Sequence, residues 1–207
     1  MRLIIFITLA SLLLAACSGH NDAKTFELPD FGSGARHVVV SGDTASNGLA
    51  LIGADGKAYL MLGNDSNAAS TVVYRRSSSN ARWGRVPETT ESPILAVQLN
   101  EADAATAPTL PSTATTLRTS LNDAVVTFIL QPTGNIVASA SGCQVSGKLN
   151  SAVGQPAARV KLRFEQCGPI TGNYNGVAFV DADAANADIH IVVDNGTAIQ
   201  DFYAYAQ

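Results

Sequence analysis

Three stretches of this chain gather side chains able to do chemistry. Arg75, Arg76, Arg82 and Arg85 crowd around Trp83 within eleven residues. Guanidinium forks suit phosphate or carboxylate, and the indole offers a stacking face. This segment is therefore the candidate site for an anionic partner; its plain reading is an exposed loop kept soluble by charge. Asp181, Asp183, Asn186 and Asp188 fall within eight residues, and oxygen ligands crowded this way form a weak candidate site for Ca²⁺. They lack the glycine and distal Glu of an EF-hand loop, and the ordinary alternative is a solvated turn with Asx capping. Gly142 to Leu149 (GCQVSGKL) imitates a phosphate-binding loop but ends in Leu where Ser or Thr must hold Mg²⁺. It also alternates like a strand, so nucleotide binding is not expected. No Gly-x-Ser-x-Gly, Ser-x-x-Lys or His-Glu-x-x-His motif occurs. The histidines are His20, His37 and His190. His190 sits between Ile189 and Ile191 and is expected on the exposed face of its strand. No catalytic cluster and no cofactor are expected.

The elements around these residues begin with a leader. Met1-Arg2 carries a positive charge, and residues 3–16 are apolar but for Thr8 and Ser11. Fourteen residues suit a signal-peptide core and fall short of the 20 or so that span a bilayer. The run closes on Leu14-Ala15-Ala16-Cys17, followed by Ser18. This pattern resembles the lipobox of bacterial lipoproteins. The resemblance implies cleavage after a signal peptide of residues 1–16, a diacylglycerol on the Cys17 thiol and a fatty acid such as palmitate on its amine. Ser18 resembles the residue that sorts such proteins to the outer membrane, on its periplasmic or its external face. Several acyl chains together anchor firmly where one anchors marginally.

Composition agrees with an address outside the cytoplasm. Of 207 residues, 46% are apolar, so a core can form, and only 14% are charged. A net charge of −4 argues against nucleic acid as a partner. With Cys17 assigned to lipid, Cys143 and Cys167 remain, and in an oxidising compartment they read as one disulfide. Two free buried thiols are the alternative. Residues 164–207 hold no Lys or Arg but Glu165 and five Asp, so the molecule is expected to be dipolar.

Short apolar runs separated by turn residues, with no helical period, predict an all-β chain: an antiparallel β-sandwich or barrel. Gly53-Ala54-Asp55-Gly56, Pro132-Thr133-Gly134-Asn135 and Asp194-Asn195-Gly196 mark turns. Arg159, Lys161, Arg163 and Glu165 alternate with Val160, Leu162 and Phe164, the signature of a half-buried strand. Residues 48–55 (GLALIGAD) echo 176–183 (GVAFVDAD), which suggests two related β units; chance hairpins of similar composition are the alternative. The expected organisation is a lipidated flexible tether over 17–34 and an N-terminal β unit over 35–100. An Ala/Thr/Pro-rich linker over 101–116 and a C-terminal β unit over 117–207, holding the disulfide, complete it.

The segments SGCQVSGKL, VKLRFEQC and GNYNGVAFVDAD resemble a recurrent group of small proteobacterial lipoproteins with a Gly-Cys, Cys, Tyr-x-Gly-x-Ala closing region. That likeness implies location and fold and adds no activity. The functional expectation is a non-enzymatic, lipid-anchored binding or accessory module at the outer membrane. Its partners would be the membrane, through the acyl chains, and an envelope or secreted protein or an anionic glycolipid. The alternative is a periplasmic inhibitor or immunity lipoprotein that blocks a cell-wall or lipid hydrolase, with 75–85 as its plug.

Overall fold

The computed structural model describes residues 28, 32–41, 43, 47–64, 69–89, 96–99, 105–139, 142–151, 155–181 and 188–207. Cys17, the expected leader over 1–16 and most of the expected tether over 17–34 lie outside them, as do His20, Asp183 and Asn186. The described residues form strands and turns, with no helix long and apolar enough to cross a membrane.

The first unit is a six-stranded antiparallel sheet. Its strands are β1 (Gly34–Ser41), β2 (Asn47–Ile52), β3 (Ala58–Gly63), β4 (Val72–Arg76), β5 (Gly84–Val86) and β6 (Ala96–Leu99), in the order β5-β4-β3-β2-β1-β6. Gly56, at φ 74°, makes the tight turn between β2 and β3 that the sequence predicts. One face carries Val38, Val40, Ile52, Leu60, Leu62 and Tyr74, with Trp83 packed among them. Leu28, inside the expected tether, also packs on this core. A clasp ties β5 to the segment between β1 and β2. Arg85 donates to both carboxylate oxygens of Asp43 (2.9 and 3.0 Å), and the Tyr74 hydroxyl donates to the same carboxylate.

The second unit is a closed barrel of eight strands. These are β8 (Thr115–Leu121), β9 (Ala124–Leu130), β10 (Asn135–Ala138), β11 (Gln144–Asn150), β12 (Ala158–Cys167), β13 (Ile170–Asp181), β14 (Ile189–Asp194) and β15 (Ile199–Ala206). The order runs β12-β11-β10-β9-β8-β15-β14-β13, and β12 pairs with β13 to close the ring. Closure removes the sheet edges that would otherwise template aggregation. Inward residues fill the interior, with Phe164 at 0% exposure and edge-on to Tyr174 at 5.1 Å. The expected linker over 101–116 is not free of structure. It contains β7 (Ala105–Thr106), which pairs with the end of β13, and its last two residues begin β8. Strand β8 was hidden because its inward Leu117, Thr119 and Leu121 are diluted by Arg118 and Ser120 in a Thr-rich run.

Cys143 and Cys167 form the disulfide, with Cα atoms 4.3 Å apart. Strict alternation along β12 puts Phe164 inward and would put Cys167 outward. A bulge between them intervenes: Glu165 and Gln166 are both exposed, and Gln166 adopts φ 58°. That extra residue restores Cys167 to the inner phase, beside Cys143 at the start of β11. Loop-closure entropy for a 24-residue separation predicts that reduction, or Cys143→Ser with Cys167→Ser, lowers stability by about 3 kcal/mol. The check is the urea midpoint with and without reductant; an unchanged midpoint would show that the barrel is closed without it.

The two units meet through the faces turned away from their own cores. Leu49, Leu51, Met61 and Val73 of the sheet pack on Val177, Phe179 and Val192 of the barrel. The sheet is thus buried on both faces at β2–β4, which explains the near-continuous apolar runs of those strands.

Candidate functional site

Register relates the two units position by position. In the first, Gly48 pairs with Leu62, Leu49 with Met61 and Leu51 with Tyr59. In the second, Gly176 pairs with Val193, Val177 with Val192 and Phe179 with His190. The following strands keep step: Tyr59 faces Arg75, and His190 faces Tyr203. So do the preceding ones: His37 pairs with Leu49, and Arg159 with Val177. The echo between residues 48–55 and 176–183 therefore occupies equivalent places in two four-strand meanders.

Two clefts lie at opposite ends of the interface, and equivalent positions exchange between them, as a pseudo-two-fold axis requires. The first, of about 130 Å³, is bordered by Leu51, Tyr59 and Val177 with Asp55, Lys57 and Arg159. The second, of about 250 Å³, is bordered by Phe179, His190 and Leu49 with His37, Asp181, Asp201 and Tyr203. The first carries two cations and one acid. Among the described residues, the second carries two acids and no Lys or Arg.

The second cleft is the more developed site. His190 Nε2 lies 2.5 Å from Asp201 Oδ1, and its Nδ1 lies 3.7 Å from Asp181 Oδ2 without a hydrogen-bond partner. The ring stacks on Tyr203 (3.9 Å between centroids) and abuts Phe179 (4.6 Å). Asp201 is held across the unit boundary, where the Ser70 backbone N–H donates to its Oδ2 at 2.7 Å. Burial works to raise the Asp201 pKa, but the His190 hydrogen bond and charge and the Ser70 bonds together hold it below the usual carboxylate value. Burial, with the Asp181 and Asp201 charges, pushes the Tyr203 hydroxyl up to about 12, so it stays protonated and able to donate. This arrangement is a carboxylate–imidazole–carboxylate line on an aromatic wall. It is built to receive a cation or a hydrogen-bond donor.

A carboxyl whose folded pKa is depressed stabilises the fold above the unfolded value near 3.8 and loses that contribution as pH falls through the folded pKa. Stability should therefore drop below about pH 4, and Asp201→Asn should flatten that acid limb. Thermal midpoints taken from pH 6 to pH 2 measure it; parallel wild-type and variant curves would count against a paired, ionised Asp201.

The structure corrects the sequence reading of His190. Its strand phase is outward, as expected, but outward here means against the other unit, and only 11% of the side chain is exposed. Ser70, Phe179, Asp201 and Tyr203 were not singled out as site residues. A signal was present: Val177, Phe179 and Val192 are apolar on the outward phase of adjacent strands, which marks a covered face. Asp181, Asp201 and Tyr203 border that patch.

The arginine segment does not form one surface. Arg75 and Arg76 point to opposite sides of β4, as alternation demands. Arg75 meets the buried Asp194 carboxylate across the interface at 3.1 Å, and burial lifts the pKa of that acid despite Arg75 and the Gly196 N–H. Arg76 bonds the Gly56 carbonyl and covers Trp83 at 4.9 Å, with the indole itself 4% exposed. Arg85 is engaged by Asp43, and Arg82 is exposed. Of the calcium candidates, Asp181 lies in the second cleft, and Asp188 accepts the Ala206 backbone N–H. Among the described residues, no three His, Cys, Asp or Glu side chains converge as metal ligands. Residues 144–149 of the phosphate-loop imitation are strand β11, with Gly147 paired to Leu162 rather than opening a helix. No family model, curated protein or solved structure matches this chain.

Proposed function

We propose that this protein is a lipid-anchored, non-enzymatic module of the bacterial outer membrane that binds a partner through the acidic cleft between its two β units. The anchor part of the reading rests on the Leu14-Ala15-Ala16-Cys17 pattern behind a short apolar leader. The single observation that carries the binding part is Asp181 and Asp201 flanking His190 on an aromatic wall at the boundary of the two units. Acidic side chains on a cleft wall favour an incoming cation. A guanidinium or ammonium group, offered by a basic side chain of an envelope or secreted protein, suits both carboxylates and stacks on Tyr203.

Two measurements test this. Mass spectrometry of the N-terminal peptide from fractionated membranes should find Cys17 acylated; unmodified Cys17 in a soluble fraction would remove the anchor. Agmatine, a guanidinium on a short chain, should shift the NMR signals of His190 and Tyr203. Asp181→Asn should weaken its binding at least about tenfold, the loss of one charge-assisted hydrogen bond. Equal affinity for the variant would remove the cleft as the binding site.

A further inference from the structure

Outside the cleft, one surface of the barrel concentrates positive charge. Arg159, Lys161 and Arg163 share the outward phase of β12 and are exposed. Lys148 of β11 stands directly opposite Lys161, and Asn175 and Asn173 of β13 stand opposite Lys161 and Arg163 on the other side. Like charges face to face across a ladder cost stability. Three of these cations have partners. Arg159 pairs with Asp55 (2.7 Å), Arg163 with Glu165 (2.7 Å), and Lys148 bonds the Thr133 carbonyl and Asn135. Lys161 makes no hydrogen bond or ion pair among the described residues. Through Arg159 the patch joins Lys57 at the smaller cleft. Five cations against Asp55 and Glu165 leave a positive face on a chain whose net charge is −4.

We infer that this face, centred on Lys148, Arg159, Lys161 and Arg163, rests on an anionic membrane surface and turns the acidic cleft away from it. The inference builds on the envelope location proposed above. The chemistry argues for a lipid surface over a protein partner. The large apolar residues exposed among the described residues are Val39, Val125, Val137 and Tyr205, none of them on β11, β12 or β13. A protein interface needs a buried aromatic or aliphatic anchor, whereas a headgroup layer needs only charge. The cations also spread over two adjacent strands, β11 and β12, about 5 Å apart across strands and 7 Å apart along them, which matches a surface better than a single extended chain. The smaller cleft adjoins the patch and the acidic cleft lies at the far end of the interface, so docking by one presents the other.

The test uses the whole chain with Cys17→Ser, which accepts no lipid, so it does not depend on the anchor. Sedimentation with phosphatidylcholine vesicles, with and without 30% phosphatidylglycerol (about one anionic lipid in three), measures the preference for negative charge. Any leader-driven binding is common to both. Each basic residue near such a surface is worth roughly a fivefold change in partitioning, so Lys161→Gln with Arg163→Gln should cut the preference about 25-fold. Arg82→Gln, which removes an exposed charge elsewhere, should leave it within about twofold. No preference in the parent chain, or an equal loss in both variants, would overturn the proposal. So would the same residues binding soluble dextran sulfate while ignoring anionic vesicles. Acylation of Cys17 is measured separately, so either reading can fail alone.

Discussion

Arg85→Ala should lower the stability of the folded chain by about 3–5 kcal/mol, the usual cost of breaking a buried ion pair by removing one partner. Asp43 is 3% exposed and Arg85 10%. The guanidinium supplies two donors to the carboxylate, and the Tyr74 hydroxyl supplies a third. With Arg85 gone the charge remains in a site that water barely reaches. Burial, followed by the hydrogen bond to Asp43 and its charge, already holds the Tyr74 pKa well above normal, so the phenol offers its proton and cannot replace the lost cation. Arg85→Lys keeps the charge but loses the two-pronged geometry and should fall between. Pairing Arg85→Ala with Asp43→Ala should recover part of the loss, because no unpaired charge is left. Urea denaturation of the four chains measures the cycle. A single-variant loss under about 1 kcal/mol would mean that the clasp is solvated and does not hold β5.

Gly176→Ala should cost about 3 kcal/mol, at the top of the usual range for overpacking. A Cβ built on Gly176 would sit 2.0 Å from the Val192 carbonyl oxygen and 2.7 Å from the Val193 Cα, both backbone atoms of the adjacent strand. Neither can swing aside as a side chain could, so β13 and β14 must separate where Val177 and Val192 meet the other unit. The equivalent Gly48 meets the Met61 carbonyl at 1.7 Å, and Gly48→Ala should behave alike. The paired prediction tests the correspondence between the meanders. Comparable losses, with perturbed amide signals at Leu49 and Val177 in both variants, are expected. A full loss at one glycine and none at the other would show that the register match has no energetic counterpart. Gly84, whose Cβ would meet nothing within 4 Å, serves as the control.

Much of the architecture is legible in the sequence. Alternation along β12 placed Val160, Leu162 and Phe164 in the core and the charges outside, and all three apolar residues are at most 2% exposed. Turn glycines marked Gly56, Gly134 and Gly196, each with positive φ. Cys143 and Cys167, read from the sequence as a pair, form the bridge that is present. The site was less legible. Trp83 read as a stacking face and is core; Arg75 and Arg85 read as free charges and are internal partners of Asp194 and Asp43. Arginines close in sequence read as a cluster, but a strand sends neighbours to opposite faces: Arg75 meets Asp194, and Arg76 meets the Gly56 carbonyl and the Trp83 ring.

What the sequence determined by itself is the phase of most strands and the positions of the tight turns, because these depend on neighbours within a few residues and on period-two geometry. What only the tertiary structure decided is what lies against each face. Ring closure through β12 and β13, the bulge that turns Cys167 inward, and the docking of the sheet on the barrel depend on contacts far apart in the chain. Ser70 and Asp201, 131 residues apart, meet only after that docking. An outward His190 would meet solvent on a lone barrel and is the centre of an acidic cleft on this one, because a second sheet packs against the same outward face.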